Sequence, residues 1–153
     1  MKFRMVDQIL AWEAKRFIRG TKVVSFEEYC LRQSQGTGEH LPESLLLESL
    51  LQLGNWLVIL SSQFTQLGMV CAIERVEFCS ALGPGEQMSV EVSVGDWGQS
   101  GMTFHGQGLA GNREVVRVQE WRVECGPLAE YIAPEDLRVL YSEIHRPRRG
   151  EAP

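Results

Sequence analysis

Two hydrophobic patterns organise the chain. Met88, Val90, Val92 and Val94 alternate with Ser89, Glu91 and Ser93, the period of two expected of a strand with one buried face. This is the clearest strand in the sequence. The second pattern is dense rather than alternating: Leu45, Leu46, Leu47, Leu50, Leu51, Leu53 and the run Trp56 to Leu60 cover more than the single stripe a surface helix needs. Pro42 suits a first helical position and Glu43 suits the positive end of a helix dipole. The pattern therefore predicts a helix from Pro42 to about Thr65, closed by Gly68 and wrapped by other structure.

The remaining pattern is mostly strand. β-Branched and aromatic residues interleave with charges from Val6 to Val24, predicting strands near Ile9–Glu13 and Phe17–Val24. Residues 25–31 give no clear preference, and Gln33–Glu39 reads as a polar, Gly-containing loop. After the helix, Val70–Phe78 is strand-like and Gly83-Pro84-Gly85 marks a turn. Further strands are expected at Ser100–Ala110 and Glu114–Cys125, with Gly111-Asn112 as the hairpin between them. Pro134–Ile144 predicts a short surface helix, and the basic tail Arg146–Pro153 is expected to be disordered. The order is that of an α+β fold: one long, nearly all-apolar helix held by a curved antiparallel sheet, in a single domain spanning residues 1–153.

Composition narrows the class. Hydrophobic residues make up 44% and charged residues 23%, ordinary for a globular domain. A formal net charge of -5 supplies no broad basic field, so nucleic acid is not an expected partner. Lys2, Arg4 and Asp7 break up the apolar residues of the N-terminus, which does not read as a secretion signal. Glu48, Ser49, Gln52 and Asn55 interrupt Leu45–Leu60, so no membrane span is expected. A cytoplasmic location follows as the expectation. Cys30, Cys71, Cys79 and Cys125 form no C-x-x-C pair and have no His at ligand spacing, so they read as buried reduced thiols, with no metal.

The residues around the helix resemble a known family. Pro42-Glu43-Ser44-Leu45-Leu46-Leu47-Glu48-Ser49-Leu50-Leu51-Gln52 is similar to the second half of the motif G-H-F-P-G-x-P-x-M-P-G-x-L-x-x-E-A-x-x-Q of the β-hydroxyacyl-acyl carrier protein dehydratases. Arg75-Val76-Glu77-Phe78 followed by Pro84-Gly85-Glu86-Gln87-Met88 is similar to their R-x-x-F and P-G-D-x-L elements. The early V-D-Q-I-L-A-W-E resembles their V-D-R-I-L-E, so the resemblance spans most of Met5–Val123. It implies a hotdog fold, a homodimer or higher even oligomer, and an active site at the dimer interface. The implied substrate is a 3-hydroxyacyl chain on the phosphopantetheine of acyl carrier protein, or a CoA thioester, with no metal or redox cofactor.

Within that resemblance Glu48 matches the helix acid, six positions after Pro42 and four before Gln52. Elimination of water needs a proton donor for the departing hydroxyl. Read from spacing alone, Ser44, Glu48, Gln52 and Asn55 equally describe a polar stripe facing solvent. His40 is the candidate base, since a neutral imidazole suits removal of the proton beside a thioester carbonyl; a solvent-facing loop His is the alternative. The family's loop is shortened here to His40-Leu41-Pro42-Glu43, and aligned from the helix the family His falls near Ser34, which is no base. Glu43 replaces the Gly whose N–H polarises the carbonyl, and Pro42, Glu43 and Gln52 are the candidate substrate-binding positions. His105 and His145 read as structural or surface residues, and Gly106-Gln107-Gly108 as strand irregularity. Trp12, Trp56, Trp97 and Trp121 read as packing residues.

The reading favoured by the motif is 3-hydroxyacyl dehydration. A non-catalytic acyl-binding or partner subunit and a thioesterase in which Glu48 activates water are the alternatives. Arg16, Arg19 and Lys22, with Arg146, Arg148 and Arg149, are candidates for a basic patch facing an acidic carrier protein, against a plain solvated terminus.

Overall fold

The computed structural model describes residues 4–27, 31–34 and 38–147. The chain runs β1 (Gln8–Glu13), β2 (Phe17–Val23), β3 (Arg32–Ser34), β4 (Gly38–His40), α1 (Glu43–Ser61), β5 (Gln66–Phe78), β6 (Gln87–Trp97), β7 (Met102–Ala110), β8 (Arg113–Pro127), a single 3-10 turn at Leu128–Glu130, and α2 (Pro134–Ile144). Six strands form one antiparallel sheet in the order β1-β2-β6-β7-β8-β5, which wraps α1. This is the hotdog arrangement, an α+β fold.

The alternation read from β6 is realised: Met88, Val90 and Val92 are buried. They meet Phe104 on β7, Val118 and Trp121 on β8, and Leu46, Leu50, Leu53 and Leu57 on α1 in one apolar cluster. Each of these side chains contributes roughly 1.5–3 kcal/mol by leaving water. Close approach of helix to sheet depends on Gly54, where a Cβ would sit 2.8 Å from Cζ2 of Trp121. The irregularity read at Gly106–Gly108 is present as register shifts on either side. A Cβ at Gly108 would fall within 2.4 Å of the Met88 sulfur, so these glycines make room for core side chains. The Gly111-Asn112 hairpin forms as expected, with Gly111 at φ 62°.

Several expectations are corrected. Within the expected loop 33–39, the described residues are strand, because β3 and β4 pair antiparallel as a small separate sheet. The helix stops at Ser61 rather than near Thr65, and Gly68 does not close it. Gln63 and Phe64 take left-handed φ values of 55° and 63° instead. Phe64 is held there by burial, by Arg138 4.4 Å above its ring, and by Tyr141. Gly68 belongs to β5, where a Cβ would meet Val123 at 2.6 Å. The thiols are not buried as expected: Cys71 and Cys79 are exposed because β5, which carries Cys71 and runs up to Cys79, is an edge strand, and Cys125 is half-buried. Cys30 lies outside the described residues, as do 148–153 of the tail.

Of the candidate basic patch, Arg148 and Arg149 lie outside the described residues, and three of the others are already engaged. Lys22 is buried, with Nζ 3.8 Å from Asp7, while Arg16 and Arg19 pair with Glu13 and Glu91, each at 2.8 Å. By length and composition α1 is apolar enough to cross a bilayer, and it is the one such helix among the described residues. Its wrapping by the sheet accounts for that apolarity.

Candidate functional site

Pro42 (φ −55°, ψ 143°) is extended and precedes the helix, so Glu43 rather than Pro42 opens α1. The first N–H groups of a helix lack intrahelical partners and carry the positive end of its dipole. This end is anchored through Leu41, whose N–H donates to Leu82 O at 2.8 Å. The loop bearing Leu82 is itself clamped, because Arg113 donates to Ser80 Oγ and Ala81 O and pairs with Glu86. Glu86 in turn accepts from the Gly83 N–H at 2.7 Å.

Glu48 and Gln52 stand one turn apart on α1, as their spacing predicts. Gln52 Nε2 donates to Glu48 Oε1 at 2.9 Å, and Gln52 Oε1 accepts from the Met5 N–H at 2.8 Å. The second bond fixes which way the amide faces, so Gln52 presents a donor to the carboxylate. Glu48 is half-buried, neither sealed in the core nor free in solvent. Together with Leu51, Asn55, Gly68, Val70 and Val123, Glu48 and Gln52 line a groove of about 220 Å³ between α1 and the β5 edge. Asn55 Oδ1 accepts from the Gly68 N–H at 2.9 Å and ties helix to strand along this groove. Glu48, Gln52 and Asn55 thus face a groove beside the sheet edge, while Ser44 is exposed to solvent.

His40 is placed differently. It lies in β4 opposite Arg32, is 6% exposed, and has Nδ1 3.3 Å from Gly38 O. Within one protomer His40 shares no hydrogen bond with Glu48 among the described residues. Ser34 pairs with Gly38 through β3, and its side chain lies outside the described residues. Glu43 is exposed beside the helix N-terminus, about 7 Å along the axis from Glu48 at 1.5 Å per residue. His105 is exposed on β7, and His145 caps α2 and stacks on Tyr141 at 4.8 Å between centroids. Among the described residues no three His, Cys, Asp or Glu side chains cluster as a metal site would require.

Sequence reasoning named Glu48 and Gln52 but missed what holds them. Met5 reaches Gln52 across 47 residues, a separation that carries no local signal. Asn55 had been grouped with the polar stripe without its bond to Gly68.

No family model matches the chain. The fold is that of known hotdog proteins. The structure resembles the fluoroacetyl-CoA thioesterase FlK with a TM-score of 0.64 at 11% identity, covering 84% of this chain and 97% of that one. It also resembles the smu.793 protein of Streptococcus mutans UA159 bound to acetyl CoA, with a TM-score of 0.64 at 9% identity over 83% and 93% of the two chains. The PaaI protein of E. coli, from the phenylacetic acid degradation operon, gives 0.60 at 14% identity over 76% and 81%. In sequence, the chain is 29% identical over 120 residues to the 3-hydroxyacyl-[acyl-carrier-protein] dehydratase FabZ of Pelotomaculum thermopropionicum, covering 74% of this chain and 86% of the relative.

Proposed function

We propose that the protein is a hotdog enzyme acting on acyl thioesters, and that its reaction is hydrolysis with Glu48 as the base. The observation that carries this reading is the carboxylate held by Gln52 in an open groove on the core helix. Hydrolysis needs one proton acceptor beside a water and the carbonyl. Glu48 takes a proton from water as the water oxygen bonds to the carbonyl carbon, and the carbonyl oxygen becomes an oxyanion. Collapse breaks the C–S bond, and the proton on Glu48 passes to the departing thiolate, giving a carboxylic acid and a thiol. The N-terminus of α1 is a natural neighbour for the oxyanion. The substrate is carried on CoA or on the phosphopantetheine of acyl carrier protein.

The site is completed in a homodimer. β5 is a 13-residue edge strand with Met69, Val70, Ile73 and Phe78 each 40–44% exposed. Such an edge calls for a partner. Pairing two copies along β5 sets the Glu48 groove of one protomer against the other.

Dehydration is the second reading, supported by the likeness to the dehydratase and by the His40-Leu41-Pro42 pattern. In it a protonated Glu48 gives its proton to the departing 3-hydroxyl while His40 of the partner subunit removes the proton on the carbon next to the carbonyl. A base must approach to about 2.6–3.2 Å, and the burial of His40 stands against this route.

Glu48→Gln tests both. Thiol release from acyl-CoA is expected to fall about a hundred- to ten-thousand-fold, the usual contribution of one acid-base group, with circular dichroism unchanged. Unaltered hydrolysis by Glu48→Gln overturns the assignment of the base. Turnover confined to 3-hydroxyacyl thioesters and lost in His40→Ala selects dehydration. No turnover of either substrate by the wild-type protein leaves acyl binding without catalysis.

A further inference from the structure

α2 builds a second apolar groove at the far end of α1. It packs on the helix through Tyr141, whose ring lies tilted 6.1 Å from that of Trp56 and whose hydroxyl accepts a hydrogen bond from Trp12 Nε1 at 3.0 Å. His145 bridges to Ile9, and the Arg146 N–H donates to Ile9 O, so the end of α2 is pinned to β1. Between α2 and α1 lies a groove of about 590 Å³. Its floor is Trp56 and Ile59, both buried, with Leu67 beside them. α2 adds Leu137, Val139 and Leu140.

This groove adjoins the site already described. Gln52 and Asn55 line both it and the smaller groove holding Glu48. Residues 48, 52, 55 and 59 follow one helical face at spacings of three and four, with Trp56 next to it. From Glu48 to Ile59 the path is about 16 Å at 1.5 Å per residue. Its character changes along the way: a carboxylate and two amides at one end, aromatic and branched aliphatic side chains at the other. Arg4, Asp136 and Glu143 stand at the edges. A polar head followed by a flexible apolar chain matches that sequence of surfaces.

We propose that the groove between α1 and α2 receives the distal part of the substrate acyl chain, making α2 the element that selects chain length. The inference rests on the reading of Glu48 as the thioester site. Trp56 lies eight residues beyond Glu48, about 12 Å along the helix, so a butanoyl chain ends short of it and a dodecanoyl chain reaches it. Each methylene that leaves water for an apolar wall tightens binding about fourfold. Affinity therefore climbs with chain length until the groove is filled.

The probes are non-hydrolysable pantetheine thioethers of 4-bromobutanoyl and 12-bromododecanoyl length, whose terminal bromine quenches tryptophan fluorescence on contact. The dodecanoyl probe is expected to quench a signal that Trp56→Phe removes, and the butanoyl probe is not. Val139 is 60% exposed, so Val139→Trp places an indole at the groove without disturbing the core. That variant is expected to weaken the dodecanoyl probe at least tenfold relative to the butanoyl probe. Ile132→Trp, from another exposed wall position, serves as the second variant. Equal quenching by both probes, or quenching indifferent to both tryptophan variants, overturns the proposal. Quenching without turnover of any thioester sinks the enzymatic reading and leaves the groove standing; turnover without quenching does the reverse.

Discussion

Gly54→Ala isolates the contact that sets the helix against the sheet. In an ordinary helix the change stabilises by about 1 kcal/mol, because Gly loses more backbone entropy on folding. Here the new methyl would lie 2.8 Å from Trp121 Cζ2 and 3.5 Å from Cε2. Trp121 cannot swing aside easily: it is 1% exposed, Phe104 packs at 5.5 Å, and a Cβ at Gly106 would already lie within 3.3 Å of the indole. Overpacking a rigid core costs about 1–3 kcal/mol, and a contact this short against an aromatic belongs in the upper half of that range. The net expectation is a loss of about 1–2 kcal/mol, or roughly 2–8 °C in Tm for a domain of this size. Urea unfolding of Gly54→Ala, Trp121→Phe and the double variant measures it. The smaller ring leaves room for the methyl, so the double variant should be less destabilised than the sum by at least about 0.5 kcal/mol. Among the described residues the buried Trp121 Nε1 has no hydrogen-bond partner, so Trp121→Phe removes no bond that would confuse the cycle. A Gly54→Ala protein more stable than the wild type would refute the reasoning.

Two further outcomes are expected. Ile73→Lys places a charge on the exposed edge of β5 and should convert the proposed dimer to a folded monomer by analytical ultracentrifugation; a dimer that survives the change would place the interface elsewhere. Burial, and then the Arg146 charge, push the His145 imidazole below its ordinary value near 6.5. The unfolded chain then binds the proton more readily, so this contribution is intact above about pH 6.5 and is lost as pH falls from there toward the lowered folded value. His145→Asn should flatten that acid limb in a Tm-versus-pH series, and an unchanged limb would assign it to other groups.

The sequence discloses structure where local pattern and tertiary role coincide. β6 alternates because one face meets α1, and α2 begins at Pro134 because proline suits that position; both were legible. The β3–β4 pairing was not, since three-residue strands of polar residues have no periodicity to read. The apolar run of β5 predicts a strand but cannot distinguish the middle of a sheet from its edge. That ambiguity leaves the exposure of Cys71 on β5 unreadable from sequence. Lys22 and the helix end fail for a related reason: Asp7 across the sheet and Arg138 on α2 decide their placement, and neither is near in sequence.

The candidate site shows the same division, and it bears on function. Glu48 and Gln52 are legible as a pair because four residues make one helical turn, but their exposure is set by β5 and by the N-terminal segment. Gln52 and Asn55 each bind a backbone N–H from elsewhere in the chain, so each holds a packed segment in place. Among the described residues Glu48 does no such work: its hydrogen bond comes from Gln52 on its own helix. Setting a half-buried carboxylate on a mostly apolar core helix carries a desolvation cost that a leucine would avoid. A residue that breaks the pattern of its element without evident return in stability is where chemistry is to be sought. By that argument Glu48, more than His40, is the residue on which the proposed activity turns.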